Sequence, residues 1–308
     1  MRLGGAAVWR FAPLLAPLLA LGHVATAAGQ GEVEVVLRRI GAYVEQYYSR
    51  AQSFVGIETV RLLTLRPDLI ADGFGRRLDY ELKLEWTPRL GGEPATATMT
   101  RRLLTVNGRR PKPKDEPQCL DPHGEQTEPM SMLLPESQGD YTFSSAGTSR
   151  MDGRRVAMLD YRETTKPSES ITWKDDDCIS AQIDGRSVGR VWADPATGEV
   201  LRLDMHLKGM VDFRVPREHQ RAWGSFVTLD RSDFSVRYKA VTFRDPDETL
   251  LLPASIDTLS VWKGEGRARH RKTQQFSNYQ RFETGGRLVD SDGIVPDGAE
   301  KPSETVTR

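Results

Sequence analysis

The stretch Leu78-Asp79-Tyr80-Glu81-Leu82-Lys83-Leu84-Glu85-Trp86 alternates strictly between apolar and charged side chains. Only an extended strand turns every second side chain to the same side, so this stretch predicts a β-strand with one buried face and one solvated face. The apolar residues of the strand are Leu78, Tyr80, Leu82, Leu84 and Trp86. We expect these five side chains to share the buried face.

The same alternation returns along most of the chain, separated by short turn-forming segments. The repeats cover residues 155–163, 188–193, 200–207, 234–243, 256–262 and 273–282. Between the second and third of them, Pro195 and Gly198 are residues that favour a tight hairpin turn. Several strands at this spacing, with no helical pattern between them, predict an antiparallel sheet.

One segment near the N-terminus has helical periodicity instead. In Glu32 to Ser49, apolar residues recur at steps of three and four, and polar residues fill the other side. The apolar residues are Val33, Val36, Leu37, Ile40, Val44 and Tyr47. The predicted fold class is therefore mostly β, with one long N-terminal helix packed on the sheet.

Residues 1–27 have the layout of a cleaved secretory signal. Arg2 and Arg10 precede or flank an apolar stretch, and Ala25-Thr26-Ala27 provides small residues for cleavage. The alternative is an uncleaved membrane anchor, but two prolines interrupt the stretch, and spanning a bilayer needs roughly 20 continuous apolar residues. We expect a periplasmic or secreted protein with no transmembrane segment after cleavage.

Composition limits the partners and the domain organisation. The 308 residues include 43 Lys and Arg against 43 Asp and Glu. This balance produces no overall basic field, so we expect no nucleic-acid partner. We predict a single β-rich domain over residues 28–289. Residues 290–308 are mostly Gly, Pro, Ser, Thr and charged, and we expect a disordered tail there.

Two cysteines, Cys119 and Cys178, predict one disulfide in an exported protein. The alternative is a pair of buried free thiols. Cys119 lies in a proline-rich segment, residues 108–129, which we expect to be an exposed loop. The apolar segment Met130 to Leu134 follows, and it suits a short helical turn or a flap over apolar surface.

The sequence contains one motif that suggests catalysis. Gly185-Arg186-Ser187-Val188-Gly189 fits the G-x-S-x-G pattern of hydrolases, but that motif requires a helix directly after the serine. A strand and a hairpin are predicted there instead. We therefore expect Ser187 to be non-catalytic and the protein not to be an enzyme.

No pattern predicts a metal or another cofactor. Cys119, His123 and Glu125 could ligate a metal, but the thiol has a better use in a disulfide. Asp175-Asp176-Asp177 lacks the glycine and terminal glutamate of a calcium loop, so a solvated turn fits better. The basic run Arg267 to Lys272 could contact lipid headgroups, or it could be a charged strand face that opposes edge aggregation.

Several strands carry apolar residues on both faces. Such a sheet must cover one face with helix and curl the other around itself or around a ligand. We predict a curved, unclosed half-barrel with a hydrophobic concavity, although a filled sandwich core fits the same residues equally well. The predicted lining residues are Trp86, Trp192, Tyr238 and Trp262, with Met130 and Met132 in the covering segment.

A family resemblance rests on the order of several short segments. They are the leader and helix, then Phe54-Val55-Gly56-Ile57-Glu58, the hairpin at residues 189–203, Leu251-Leu252-Pro253 and Phe276-Ser277-Asn278-Tyr279. In this layout the chain resembles the LolA/LolB type of outer-membrane lipoprotein-sorting proteins. The resemblance implies an unclosed antiparallel barrel, capped by helices, that holds lipoprotein acyl chains. It assigns no ligand-contacting residue.

Three functions remain open from the sequence. The first is an exported carrier or binder of lipoprotein acyl chains or other apolar ligands. The second is a non-catalytic interaction module of the cell envelope with a filled core and envelope proteins as partners. The third, a secreted hydrolase, has the least support. The volume and lining of the concavity distinguish the first two.

Overall fold

A computed structural model describes most of the chain from Val24 to Asp290. The described residues are 24–50, 53–87, 96–113, 115, 119–122, 129–175, 178–244, 247–263, 269–282 and 288–290. The predicted tail therefore lies outside them from residue 291 onward. The predicted leader also lies outside them, except for its last four residues, which begin the first helix.

The described chain is dominated by β-strands. The strands are β1 (Ser53–Leu65), β2 (Arg76–Thr87), β3 (Thr96–Val106), β4 (Tyr141–Met151), β5 (Arg154–Glu163), β6 (Ser168–Asp175), β7 (Cys178–Asp184), β8 (Ser187–Ala193), β9 (Val200–Leu207), β10 (Val211–Arg214), β11 (Phe226–Arg244), β12 (Asp247–Lys263), β13 (Arg269–Phe282) and β14 (Leu288–Asp290). The helices are α1 (Val24–Arg50) and α2 (Gln220–Trp223), with 3-10 helices at Pro129–Leu133, Gln138–Asp140 and Arg217–His219.

One large sheet contains twelve of these strands. Its order is β3-β2-β1-β13-β12-β11-β9-β8-β5-β4, with β10 beside β11 and β14 beside β13. Each of these pairs is antiparallel, and the sheet does not close into a barrel. Strands β6 and β7 form a separate two-stranded hairpin. The predicted fold class, a curved unclosed sheet with an N-terminal helix, is confirmed.

The seven segments predicted as strands correspond to β2, β5, β8, β9, β11, β12 and β13. The predicted turn joins β8 to β9, and the N–H of Gly198 donates to the carbonyl of Asp194 at 2.9 Å. Gly198 has φ +79°, and an added Cβ would lie 2.3 Å from the carbonyl oxygen of Arg39 in α1. The turn therefore needs glycine both for its backbone angle and for the passage of the helix.

Helix α1 begins at Val24, eight residues before the predicted start. Its apolar stripe is buried against one face of the sheet, which we call the inner face. The buried residues of the stripe are Val33, Val36, Ile40, Val44 and Tyr47. Two of them, Ile40 and Val44, have no exposed surface. The prediction that the helix packs on the sheet is confirmed.

The proline-rich segment is not uniformly exposed. Asp121 is 4% exposed, and its carboxylate pairs with the guanidinium of Arg76 at 2.9 Å. Cys119 and Cys178 form a disulfide, which joins this segment to the start of β7. The expectation of an exposed loop is therefore wrong around Asp121, because an ion pair joins this part to β2 and a disulfide joins it to β7.

Candidate functional site on the inner face of the sheet

The inner face carries the main apolar cluster of the protein. Helix α1 covers it together with the 3-10 helix Pro129–Leu133, whose Met130 and Leu133 have no exposed surface. Val236 and Leu203 of the sheet lie beneath them and are also fully buried. The helical elements and the sheet thus form one continuous apolar layer.

Three of the predicted lining residues meet in this cluster. Tyr238 is 4% exposed, Met130 is fully buried and Met132 is 6% exposed. The segment expected to be a flap therefore packs into the core. Side chains of α1 and of the 3-10 helix occupy the concavity that the sequence suggested as a ligand site.

Trp262 lies in a different apolar cluster. Its ring is 5.9 Å from the ring of Phe213, and both pack near Leu229. The hairpin of β6 and β7 covers this cluster with Trp173, whose ring stacks on His219 at 4.6 Å. Tyr238 and Trp262 therefore do not line one common site.

Trp192 lies on the opposite, outer face, so the prediction that it lines the concavity is wrong. Its neighbours Val191 and Ala193 are fully buried in the main cluster, and alternation turns Trp192 away from them. The guanidinium carbons of Arg202 and Arg190 lie 4.7 and 5.8 Å from the centre of its ring. The side chain of Trp86 lies outside the described residues.

Polar contacts join α1 to the rest of the protein at several points along the helix. The side-chain amide of Gln138 donates to the carbonyl of Leu37 at 3.1 Å and to that of Leu133 at 2.8 Å. Arg39 donates to the carbonyl of Pro195. At the C-terminal end of the helix, Arg281 donates to the carbonyl of Arg50 at 2.8 Å. The buried apolar stripe of α1 adds to these contacts.

A buried ionic cluster lies on the inner face beside the main cluster. Glu58 has no exposed surface, and its carboxylate accepts hydrogen bonds from Arg101 Nε and from the amide of Gln274, each at 2.6 Å. Burial, together with the charges of Asp121 and Glu58, raises the pKa of nearby Tyr80 to about 12. Tyr80 therefore stays neutral at physiological pH.

Sequence reasoning missed this ionic cluster. One signal could have found it, because Glu58 has the same parity along β1 as Phe54 and Val60, which are both buried. A carboxylate at an inward position of an apolar strand needs a buried partner. The partner, Arg101, lies in β3, two strands from β1 in the sheet order, and the local sequence around Glu58 does not identify it.

An open groove of about 430 Å³ lies where β12 and β13 separate. These strands pair only from Ser255 to Val261, and Tyr279 then donates to the carbonyl of Pro253 at 2.7 Å. The lining residues are Lys239, Ala240, Val241, Thr242, Arg244, Asn278 and Tyr279. This lining is polar and basic, which does not suit an acyl chain.

Ser187 is the first residue of β8, and Gly185 before it has φ +72°. The strand continues to Ala193, whereas a nucleophile elbow requires a helix after its serine. In the part of the chain that the structure describes, no group of three metal-ligating side chains is clustered. Within the same residues, no helix is long and apolar enough to cross a membrane.

Comparisons with known proteins found likeness to solved structures but none in sequence. No protein-family model matches the chain, and no curated protein matches its sequence. Among solved structures, the chain is similar to a putative outer membrane lipoprotein-sorting protein domain from Vibrio parahaemolyticus. The identity is 11%, the coverage is 84% of this chain and 95% of that chain, and the TM-score is 0.41.

Two further solved structures show likeness. A DUF1329 family protein from Desulfovibrio piger has 8% identity, coverage of 83% and 94%, and a TM-score of 0.36. A LolA superfamily protein from Nitrosomonas europaea has 12% identity, coverage of 82% and 92%, and a TM-score of 0.27. At these identities and scores no function follows from the likeness.

Proposed function

We propose that this protein is an exported, non-catalytic binder of apolar ligands, such as the acyl chains of lipoproteins. The inner face is the binding surface, and α1 is a cover that a ligand displaces. The observation that carries this proposal is the burial of five apolar side chains of α1 in the main cluster. An acyl chain offers the sheet the same kind of contact.

The apolar side chains of α1 and a long acyl chain would contribute similar free energies of burial on the inner face. Burying a Val, Ile or Tyr-sized apolar side chain contributes about 1.5 to 3 kcal/mol, so the five buried side chains of α1 contribute about 7 to 15 kcal/mol. A chain of about 16 methylenes contributes about 13 kcal/mol at roughly 0.8 kcal/mol each. A long acyl chain could therefore replace α1 on the inner face at small net cost.

The two ends of α1 differ in their attachment. Near its C-terminus, Arg281 binds the carbonyl of Arg50 and pairs with Glu248 at 2.7 Å. Arg281 is 8% exposed, which strengthens these contacts relative to surface ion pairs. In this proposal the C-terminal end of α1 stays attached while the preceding turns lift from the sheet.

A second candidate function is an interaction module of the cell envelope. The observation that favours it is the complete burial of Met130 and Leu133, because the inner face is filled in this structure. Envelope proteins would then bind elsewhere on the molecule. Strands β3 and β4 end the sheet on its two sides, and among the described residues each has one edge without a neighbouring strand.

A pair of neighbouring valines in α1 tests the proposed cover. Val36 is 5% exposed and packs in the main cluster, whereas Val35 is 36% exposed. Both changes to Ala remove the same atoms, but only Val36→Ala weakens the cover. Losing the buried atoms weakens closure by about 1.5 kcal/mol, so the apparent affinity for a fluorescent long-chain fatty acyl probe should rise about tenfold.

The control Val35→Ala should change the probe affinity by less than about twofold, because surface substitutions have small effects. Tyr238→Ala, which alters the inner face, should weaken binding, whereas Trp192→Ala on the outer face should not. Equal affinities for the two valine variants would show that α1 does not compete with the ligand. Absence of saturable binding in folded wild-type protein and in Val36→Ala would favour the interaction module.

A further inference from the structure

We propose that one rim of the sheet is a docking surface for an anionic lipid bilayer. This rim, which we call the loop rim, is where β1, β9 and β12 end and β2, β11 and β13 begin. Leu65 pairs with Arg269, and Lys263 pairs with Thr228, so these strand ends lie side by side. The proposal does not depend on whether the inner face binds a ligand.

The loop rim concentrates exposed apolar side chains. The described residues include seven large exposed hydrophobic side chains, and five of them are at this rim. They are Leu69, Ile70, Phe74, Met210 and Phe226. Phe74 is fully exposed, and Ile70, Met210 and Phe226 are each more than half exposed. Exposed apolar groups gathered at one edge of a soluble domain usually mark a contact surface.

The loop between β1 and β2 holds its apolar side chains in place. Leu69 has φ +64°, a left-handed conformation that costs a leucine energy. Two backbone hydrogen bonds stabilise this conformation. The N–H of Leu69 donates to the carbonyl of Arg66 at 2.9 Å, and the N–H of Arg66 donates to the carbonyl of Ile70 at 2.8 Å. The N–H of Asp72 donates to the carbonyl of Thr64 at 2.8 Å. These hydrogen bonds therefore hold the backbone of the apolar loop in one conformation at the rim.

The arrangement of the apolar groups favours a lipid surface over a protein partner. Strands β1 and β11 are three positions apart in the sheet order, which corresponds to about 14 Å at the usual strand spacing. The β1–β2 loop and Phe226 therefore form separate protrusions and not one flat patch. Separate protrusions can each enter the fluid interface of a bilayer without needing a complementary pocket.

The charge of the loop rim fits an anionic bilayer. The chain as a whole has equal numbers of acidic and basic residues. Segments 66–77, 107–112 and 208–214, with Lys263 and Arg269, contain ten Lys and Arg against three Asp. Four further carboxylates pair with cations of this group, so the excess is three positive charges; they are Asp79, Asp115, Asp121 and Asp230. Basic residues beside a membrane-contacting segment attract anionic headgroups.

Several of these cations have carboxylate partners. The pairs Arg76–Asp121, Arg77–Asp79 and Arg109–Asp115 lie at 2.9, 3.0 and 2.6 Å. Arg66 lies 3.4 Å from Asp68, and Lys263 lies 2.6 Å from Asp230. The side chains of Arg66 and Lys263 are nonetheless 51% and 53% exposed, so both remain accessible to headgroups. Surface pairs of this kind are weak and can exchange a carboxylate for a phosphate.

Vesicle flotation tests the docking surface directly. The probe is vesicles of phosphatidylcholine with about one-third phosphatidylglycerol, compared with pure phosphatidylcholine. The full chain should float with the anionic vesicles, and raising the salt concentration should weaken the association. The double variant Ile70→Ser/Phe74→Ser should bind at least tenfold more weakly. Val35→Ser is the matched control, because it removes an exposed apolar side chain from α1, and it should bind within twofold of wild type.

The electrostatic part has its own control. Arg110→Gln/Lys112→Gln should weaken binding to anionic vesicles, whereas Arg155→Gln, near the opposite rim, should not. Equal binding by rim and control variants would overturn the proposal, as would no binding by folded wild-type protein. Self-association that the Ile70→Ser/Phe74→Ser variant abolishes, without vesicle binding by the wild type, would assign the rim to a protein contact instead.

Discussion

Arg101 Nε lies 2.6 Å from a carboxylate oxygen of Glu58, and the two residues belong to β3 and β1, with β2 between them. Glu58 has no exposed surface, and the Arg101 side chain is 6% exposed. Gln274 from β13 donates to the other carboxylate oxygen at 2.6 Å. Three strands therefore depend on one another through a single buried carboxylate.

Removing the cation of this pair should be costly. Arg101→Met leaves Glu58 buried without its main partner, and breaking such a pair costs about 3 to 5 kcal/mol in the free energy of unfolding. Arg102 is the control, because it is the next residue, is 67% exposed and pairs with Glu81 at 2.8 Å. Arg102→Met should cost less than about 1 kcal/mol in urea unfolding. Equal costs would mean that Glu58 is hydrated and not buried.

The strand that defines the fold offers a second matched comparison. Leu82 is 6% exposed in the main cluster, whereas the Glu81 side chain beside it is 40% exposed. Leu82→Ala should lower the free energy of unfolding by about 2 to 5 kcal/mol, because it leaves a cavity. Glu81→Ala should stay within about half a kcal/mol. Thermal or urea unfolding of the two variants measures the difference.

The disulfide should contribute measurably to stability. Cys119 and Cys178 are 59 residues apart, and closing a loop of that size is worth about 4 kcal/mol in the chain-entropy model. The variant Cys119→Ala/Cys178→Ala should therefore unfold at a lower urea concentration than oxidised wild-type protein. Reduced wild-type protein is the control and should match the double variant. Two free thiols in non-reduced protein, found by mass spectrometry, would contradict the bridge.

Acid should weaken the turn between β8 and β9. Burial opposes ionisation of Asp194, but hydrogen bonds from Arg154 and from the N–H groups of Ala196 and Thr197 outweigh it and hold the pKa of Asp194 below 3.8. Because the folded pKa lies below the unfolded one, this stabilisation is complete above the unfolded value. It is lost as the pH falls through the folded pKa.

The variant Asp194→Asn cannot titrate at this position. Its unfolding free energy should fall less steeply than that of wild type between about pH 5 and pH 2. Asp152→Asn, at an exposed position in the turn between β4 and β5, is the control and should follow the wild-type curve. If the unfolding free energies of wild type and Asp194→Asn fell equally as the pH is lowered, the carboxylate of Asp194 would make no pH-dependent contribution to stability.

The local sequence pattern was sufficient to predict the strands that alternate strictly and the apolar stripe of α1. Leu78, Tyr80 and Leu82 are buried as the alternation predicts, because a strand places every second residue on one face whatever surrounds it. The apolar stripe of α1 follows from helical period in the same way. Seven strands match predicted segments; among the other seven, polar or mixed residues obscure the alternation of β3, β4, β6 and β7.

Only the tertiary structure decided which apolar groups share a site. Trp192 and Tyr238 both occur in predicted strands, yet the strands place them on opposite faces of the sheet. Arg190, two residues before Trp192, was a signal for the outer face, because residues two apart in a strand lie on the same side.

The sequence alone determined that most of the chain forms an antiparallel sheet with one amphipathic helix, because both periods depend only on neighbouring residues. It could not determine that α1 and Met130 fill the concavity, or that Arg101 reaches Glu58 across β2. These contacts join residues that are distant along the chain. Which of many apolar or charged residues meet is decided by the order of the strands and the registers of their pairing, which local patterns do not specify.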